Sequence, residues 1–136
     1  MIVRTLGEIT GTERDVRTAN WRSKRILLAA DGLGFSLHET VLEPGTVNDF
    51  WYAHHVEAVF VVEGDGELLD KDGDRTHELG PGSVYALDGN ERHQLRPRTR
   101  MRTVCVFTPP VTGREVHDEQ GAYPLLTGPT DEGSVR

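Results

Sequence analysis

The sequence predicts an all-β fold with at most short helices, and three observations carry the prediction. Fifteen glycines and seven prolines punctuate the 136 residues, and between them lie short segments rich in Val, Leu, Phe and Thr. The punctuation is turn chemistry: Asp31-Gly32, Pro44-Gly45, Glu63-Gly64-Asp65-Gly66, Asp72-Gly73-Asp74, Pro81-Gly82 and Asp88-Gly89-Asn90. Several segments alternate an apolar face with a mixed polar one. At this spacing, about eight strands make a closed barrel or a two-sheet sandwich.

The expected strands are residues 21–28, 34–42, 57–62, 66–69, 76–79, 83–87, 93–96 and 101–108. A short helix is expected within residues 7–19. In an extended strand, side chains alternate between faces. The first strand therefore groups Trp21, Ser23 and Arg25, and the second groups Ser36, His38 and Thr40. The last groups Met101, Thr103, Cys105 and Phe107, with Val104 and Val106 behind them. A sandwich would turn such mixed faces to water, whereas a ligand-binding barrel turns them into its lumen. The charged run from Asp70 to Arg75 reads as a hairpin tip, not a metal loop. After Pro109-Pro110 the composition changes, and residues 125–136 carry Gly, Pro, Thr, Asp and Ser without periodicity. One domain over residues 1–124 and a mobile tail over 125–136 are expected.

Composition bounds the function. At 36% hydrophobic and 27% charged, the chain is a soluble globular type. A net charge of −7 argues against nucleic acid or an anionic membrane surface as partner. No apolar run reaches the length of a membrane span, and no signal-peptide core follows Met1. Cys105 is the single cysteine, so no internal disulfide forms, consistent with a reducing cytoplasm. A small-molecule substrate and a homodimer are the expected partners.

The stretch from His54 to His93 carries the chemistry. Glu57 is followed by six residues and Gly64, which resembles the end of the first cupin motif. Pro81-Gly82-Ser83-Val84-Tyr85 resembles the second, and His93 follows eight residues after Tyr85. The His-x-His pair of many metal cupins is missing. His54 and His55 are adjacent, so in a strand they would point to opposite faces and could not share an ion. Five separated segments narrow the resemblance to the ectoine synthase family: Trp21-Arg22-Ser23; Gly34-Phe35-Ser36-Leu37-His38-Glu39-Thr40; Trp51-Tyr52-Ala53-His54-His55-Val56-Glu57-Ala58-Val59; Glu91-Arg92-His93; and Thr112-Gly113-Arg114-Glu115-Val116-His117. Asp49-Phe50, Ala53 and Phe60 depart from the family pattern.

This resemblance implies a cupin β-barrel, that is, a jelly roll or double-stranded β-helix. It implies a ferrous ion, Fe2+, on Glu57, Tyr85 and His93. One carboxylate, one phenolate and one imidazole are a donor set suited to ferrous iron with open positions. They can converge if residues 81–96 form a hairpin facing the Glu57 strand. The resemblance further implies substrate contacts from Trp21, Ser23, Arg25, Thr40, Leu87, Cys105 and Phe107, and catalytic roles for Tyr52, Glu115 and His117. Glu115 is the expected base, His117 its relay, and Arg25 the expected partner of the substrate carboxylate. The implied reaction is a hydro-lyase step: ring closure of N-γ-acetyl-L-2,4-diaminobutyrate to ectoine with loss of water, in the synthesis of a compatible solute under osmotic stress. Read singly, these residues have plainer roles. Glu57 suits a solvated strand end, Tyr85 a rim, and Cys105 core packing. Two other classes stay open on sequence: a different metal-dependent cupin enzyme, such as a dioxygenase or isomerase, and a non-catalytic small-molecule-binding cupin.

Overall fold

The computed structural model describes residues 1–115. The roles expected for His117 and for residues 125–136 lie outside them. Among the described residues, ten strands run β1 (Asp15–Arg17), β2 (Trp21–Leu27), β3 (Ser36–Leu42), β4 (Asn48–Phe50), β5 (Val56–Glu63), β6 (Gly66–Asp70), β7 (Arg75–Leu79), β8 (Val84–Leu87), β9 (His93–Pro97) and β10 (Met101–Thr108). They form a six-stranded sheet ordered β1-β2-β3-β10-β5-β8 and a four-stranded sheet ordered β4-β9-β6-β7, with antiparallel pairing throughout.

The two sheets face each other. Leu42, Val61 and Met101 from the first pack with Leu68, Leu79 and Leu95 from the second at one end of the barrel. At the other end Leu28, Tyr52, Val59, Leu87, Cys105, Phe107 and Val111 form a second cluster. Alternation holds in the two eight-residue strands, β5 and β10: β10 buries Met101, Thr103, Cys105 and Phe107, while Arg102, Val104 and Val106 are half-buried outside. The mixed faces point inward, so this is a jelly-roll barrel with a polar-lined lumen.

Three expectations need correction. The helix within residues 7–19 is a single turn, α1 (Leu6–Ile9), started by a capping box in which Glu8 N–H donates to Thr5 Oγ1 at 3.2 Å. Gly11 at φ +78° stops it, and Asp15–Arg17 then pairs with β2 as a strand. Strand β4 was also unforeseen, because three residues with one aromatic give no period to read. Finally, residues 81–96 are not a hairpin. β8 pairs with β5 in one sheet, and β9 pairs with β4 and β6 in the other. The chain crosses between sheets at Asp88–Asn90, which sends Tyr85 and His93 into the lumen from opposite walls.

The expected β6–β7 hairpin is present, with Asp70 paired to Arg75 across it. The motif glycine, Gly64, joins β5 to β6 at φ +85°, where a Cβ would collide with the Arg100 carbonyl and Met101 Cα. Only glycine fits both demands.

Candidate active site

Register turns the inner face of the large sheet into rows. One row is Ser23, Thr40, Thr103 and Val61. The next is Arg25, His38, Cys105, Val59 and Tyr85. The third is Ser36, Phe107, Glu57 and Leu87. The hydroxyl row is internally bonded: Thr40 Oγ1 donates to Ser23 Oγ at 3.3 Å, and Thr103 Oγ1 donates to the Thr40 carbonyl at 3.1 Å. All members of these rows but Val61, Arg25, Ser36 and Leu87 line a tight cavity of about 40 Å³, completed by Trp21, Leu42, Phe50, Tyr52 and Leu95. Of the expected pocket residues, Trp21, Ser23, Thr40, Tyr52, Cys105 and Phe107 line it. Tyr52 meets Phe107 edge-on at 4.9 Å between ring centroids.

The three expected metal ligands come from three strands. Glu57 opposes Leu87 and Tyr85 opposes Val59, so Glu57 and Tyr85 are diagonal neighbours on one face, within mutual reach of long side chains. His93 comes from the facing sheet, its ring centroid 6.4 Å from that of Tyr85 and 5.8 Å from that of Tyr52. Burial governs the charges of all three. It pushes the Glu57 carboxyl up to about 8, against a hydrogen bond from the Cys105 thiol. It raises the Tyr85 phenol well above the usual tyrosine value, helped by Glu57, and it lowers His93 against the pull of the Glu91 carbonyl. These are groups whose charged forms are costly until a cation joins them.

His93 gives the sharpest indication of fit. Its Nδ1 lies 3.1 Å from the Glu91 carbonyl oxygen, and a carbonyl only accepts, so Nδ1 carries the proton. Nε2 then bears the lone pair. It is buried and has no hydrogen-bond partner among the described residues. A ring fixed by one nitrogen with the other presented bare is the arrangement of a metal-ligating histidine. Among the described residues no three or more His, Cys, Asp and Glu side chains cluster; the expected set reaches three only through its tyrosine.

Three expected residues lie elsewhere. Leu87 is buried beside Glu57 and lines a second cleft, not the inner cavity. Arg25 is buried, and its Nη1 donates to the Gly113 carbonyl at 3.2 Å. Glu115 is buried around the same turn. Its oxygens accept from Thr112 N–H at 2.8 and 3.0 Å, from Thr112 Oγ1 at 3.0 Å and from Gly113 N–H at 2.9 Å. With these three donors the carboxylate holds the turn, and Glu115 is not among the described residues that line the inner cavity.

Two contributors escaped the sequence reading as site residues. His38 lines the cavity, with Nε2 3.1 Å from Ser36 Oγ and its ring 5.1 Å from Phe107. Burial, then Arg25 and His55, hold its pKa down at about 3, so it is neutral and a poor base. It sits on the face with Ser36 and Thr40, and that grouping was its signal. Asn90, read only as a turn residue, donates through Nδ2 to the carbonyls of Tyr52 at 2.9 Å and His55 at 3.0 Å. It thereby ties the Tyr52 loop to the crossing that delivers His93. His54 is exposed and His55 buried, with Nδ1 donating to the Pro109 carbonyl at 3.0 Å.

Comparison with known proteins agrees with this architecture. The sequence model of the ectoine synthase family matches residues 1–127. L-ectoine synthase of Saccharopolyspora erythraea is 63% identical over 97% of this chain and 98% of its own length. That of Rhodococcus opacus is 62% identical over 95% and 99%. A crystal structure of ectoine synthase from P. lautus superposes with a TM-score of 0.84 at 52% identity, covering 99% of this chain and 96% of that one. The polyketide cyclase RemF from Streptomyces resistomycificus, at 22% identity and a TM-score of 0.65, shares the fold alone. By sequence and by structure, then, the chain belongs to the ectoine synthase family.

Proposed function

We propose that the inner cavity is where this chain performs its family's hydro-lyase reaction, closing N-γ-acetyl-L-2,4-diaminobutyrate into ectoine. The observation that carries this reading is the bare, buried Nε2 of His93, on a ring 6.4 Å from that of Tyr85, which with Glu57 lines the inner cavity, in a chain 63% identical to a named L-ectoine synthase. The comparisons favour neither the dioxygenase nor the binding-protein alternative.

Glu57, Tyr85 and His93 would hold the ion, and ferrous iron suits their two oxygens and one nitrogen. When bound there, it would supply Lewis acidity toward the acetamide oxygen, contributing several kcal/mol. The chain's own residues do the rest. A free volume of about 40 Å³ is room for only a few waters, so the wall opens to admit a substrate and then excludes solvent. Trp21, Tyr52 and Phe107 offer apolar surfaces that favour the folded-back conformer in which amine and acetamide meet.

Overall, the α-ammonium gives up two protons, the amide oxygen leaves with both as water, and the charge ends on the amidinium. Within the described residues, Tyr52 is the member of the expected catalytic set that lines the cavity, and its phenol is the proposed donor to the departing oxygen. Glu115 supports the reaction by fixing the Thr112–Gly113 turn against Arg25. A homodimer, a cytoplasmic location and a role in osmotic protection complete the reading. The exposed Phe60–Val84 cross-strand pair supports the dimer. The described residues hold no helix long and apolar enough to cross a membrane.

The test is incubation of iron-loaded protein with the acetylated diamino acid under anaerobic conditions. A product lighter by one water, formed without O₂, is expected. Unchanged substrate, or a reaction that requires O₂, contradicts the reading.

A further inference from the structure

Two of the chain's crossings between sheets lie against each other beside the inner cavity. Residues 51–55 carry the chain from β4 in the small sheet to β5 in the large one, and residues 88–92 carry it from β8 in the large sheet to β9 in the small one. The rungs that flank this double joint are Glu57 opposite Leu87 in the large sheet and Phe50 opposite His93 in the small one. Tyr52 and the three expected metal ligands therefore all sit on the joint or within a few residues of it.

Asn90 fastens the two crossings together. Its Nδ2 donates to the carbonyls of Tyr52 at 2.9 Å and His55 at 3.0 Å, and its own carbonyl accepts from Trp51 Nε1–H at 3.0 Å. Both partners of the side chain can only accept, so the amide nitrogen must face them. The Tyr52 carbonyl also closes its turn, accepting from His55 N–H at 3.4 Å. The backbone at Asn90 has φ +55°, a left-handed conformation open to glycine, asparagine and aspartate. Of these three, asparagine alone brings two amide protons to two carbonyl oxygens. Glycine brings none, and aspartate would turn a carboxylate toward them. A turn by itself needs only the backbone. Here the side chain is used as well, and it is aimed at the segment that holds Tyr52 and leads into Glu57.

We infer that Asn90 is a positioning residue for the reaction: its amide fixes the gap across which His93 meets Glu57 and Tyr85, and with it the place of Tyr52. The inference rests on the ligand and donor readings given above. Asn90 does not line the inner cavity, so it acts through the backbone of its partners. The test compares Asn90→Asp and Asn90→Gly with wild-type protein, each shown to be folded by circular dichroism. Both variants suit the left-handed backbone; the first replaces the amide by a carboxylate of the same shape, and the second removes it. Metal-free protein is titrated with Co2+ and its d–d absorption recorded, and kcat and KM are measured on the iron-loaded enzyme. Both variants are expected to bind Co2+ about tenfold more weakly with shifted d–d bands, and to lose about 10–100-fold in kcat with KM changed less than about twofold. If Asn90→Asp fails to fold, Asn90→Gly carries the comparison alone. Folded variants with wild-type Co2+ affinity, bands and kcat overturn the inference and leave the ligand set standing, because Asn90 is then a turn residue only. Wild-type protein that gives no Co2+ bands overturns the ligand reading, and the positioning role falls with it.

Discussion

Glu57 and Tyr52 illustrate how single side chains divide the work at this site. Glu57 is a carboxyl in a dry wall, pushed up to about 8 by burial, and its ionised form needs a neighbouring cation. Glu57→Ala is therefore expected to abolish iron binding, read by metal analysis of purified protein; retention of a full equivalent would remove Glu57 from the ligand set. Tyr52→Phe keeps the ring against Phe107 and removes the hydroxyl alone. Its kcat is expected to fall about 10²–10⁴-fold with little change in KM, measured by steady-state kinetics. The sequence showed these two residues because both sit in the segment of residues 51–59 that resembles the family. It could not show that Glu115 is absorbed by its own turn, since three residues of spacing between Thr112 and Glu115 do not reveal which donors the carboxylate will meet. His38 and Asn90 were hidden for the opposite reason. One looked like an ordinary strand residue and the other like ordinary turn chemistry, and only tertiary packing gave them partners.

Elements here are held as much by their joints as by their ladders. Asp31 closes the short 3₁₀ turn Ala29–Asp31 and accepts two hydrogen bonds from Arg4 at 2.8 Å and one from Leu28 N–H at 2.9 Å. The Arg4 guanidinium holds its carboxyl well below the usual range. Because the folded-state pKa lies below the unfolded one, this stabilisation is complete above about pH 4 and disappears as pH falls through the folded value. Asp31→Asn is expected to cost about 1–3 kcal/mol at neutral pH and to flatten stability between pH 4 and lower values, as followed by chemical denaturation. Gly64→Ala, at a left-handed joint packed on β10, is expected to cost about 1–3 kcal/mol or more in the same assay. The long strands β5 and β10 were legible because their burial repeats every second residue. The three-residue strands β1 and β4 owe their existence to neighbours, Lys24 opposite Asp15 and Leu95 opposite Asn48, and no local pattern announces them.

At the scale of the molecule, an expected hairpin proved to be a crossing between sheets, and that topology makes the site. A hairpin would have put Tyr85 and His93 side by side on one wall; the crossing puts them on two, with a cavity between the sheets. The outer surface carries Phe60 and Val84 exposed at 47% and 64%, adjacent across β5 and β8. Val84→Arg is expected to shift a dimer toward monomer in sedimentation velocity; an unchanged mass would move the interface elsewhere. The central claim is that Glu57, Tyr85 and His93 act together from opposite walls on one ion beside the substrate. Its most direct measurement is iron content and ectoine formation determined in parallel for Glu57→Ala, Tyr85→Phe and His93→Ala. The account predicts that bound iron and turnover fall together in all three while the proteins stay folded. A variant of any of the three that keeps wild-type iron and wild-type turnover would contradict it.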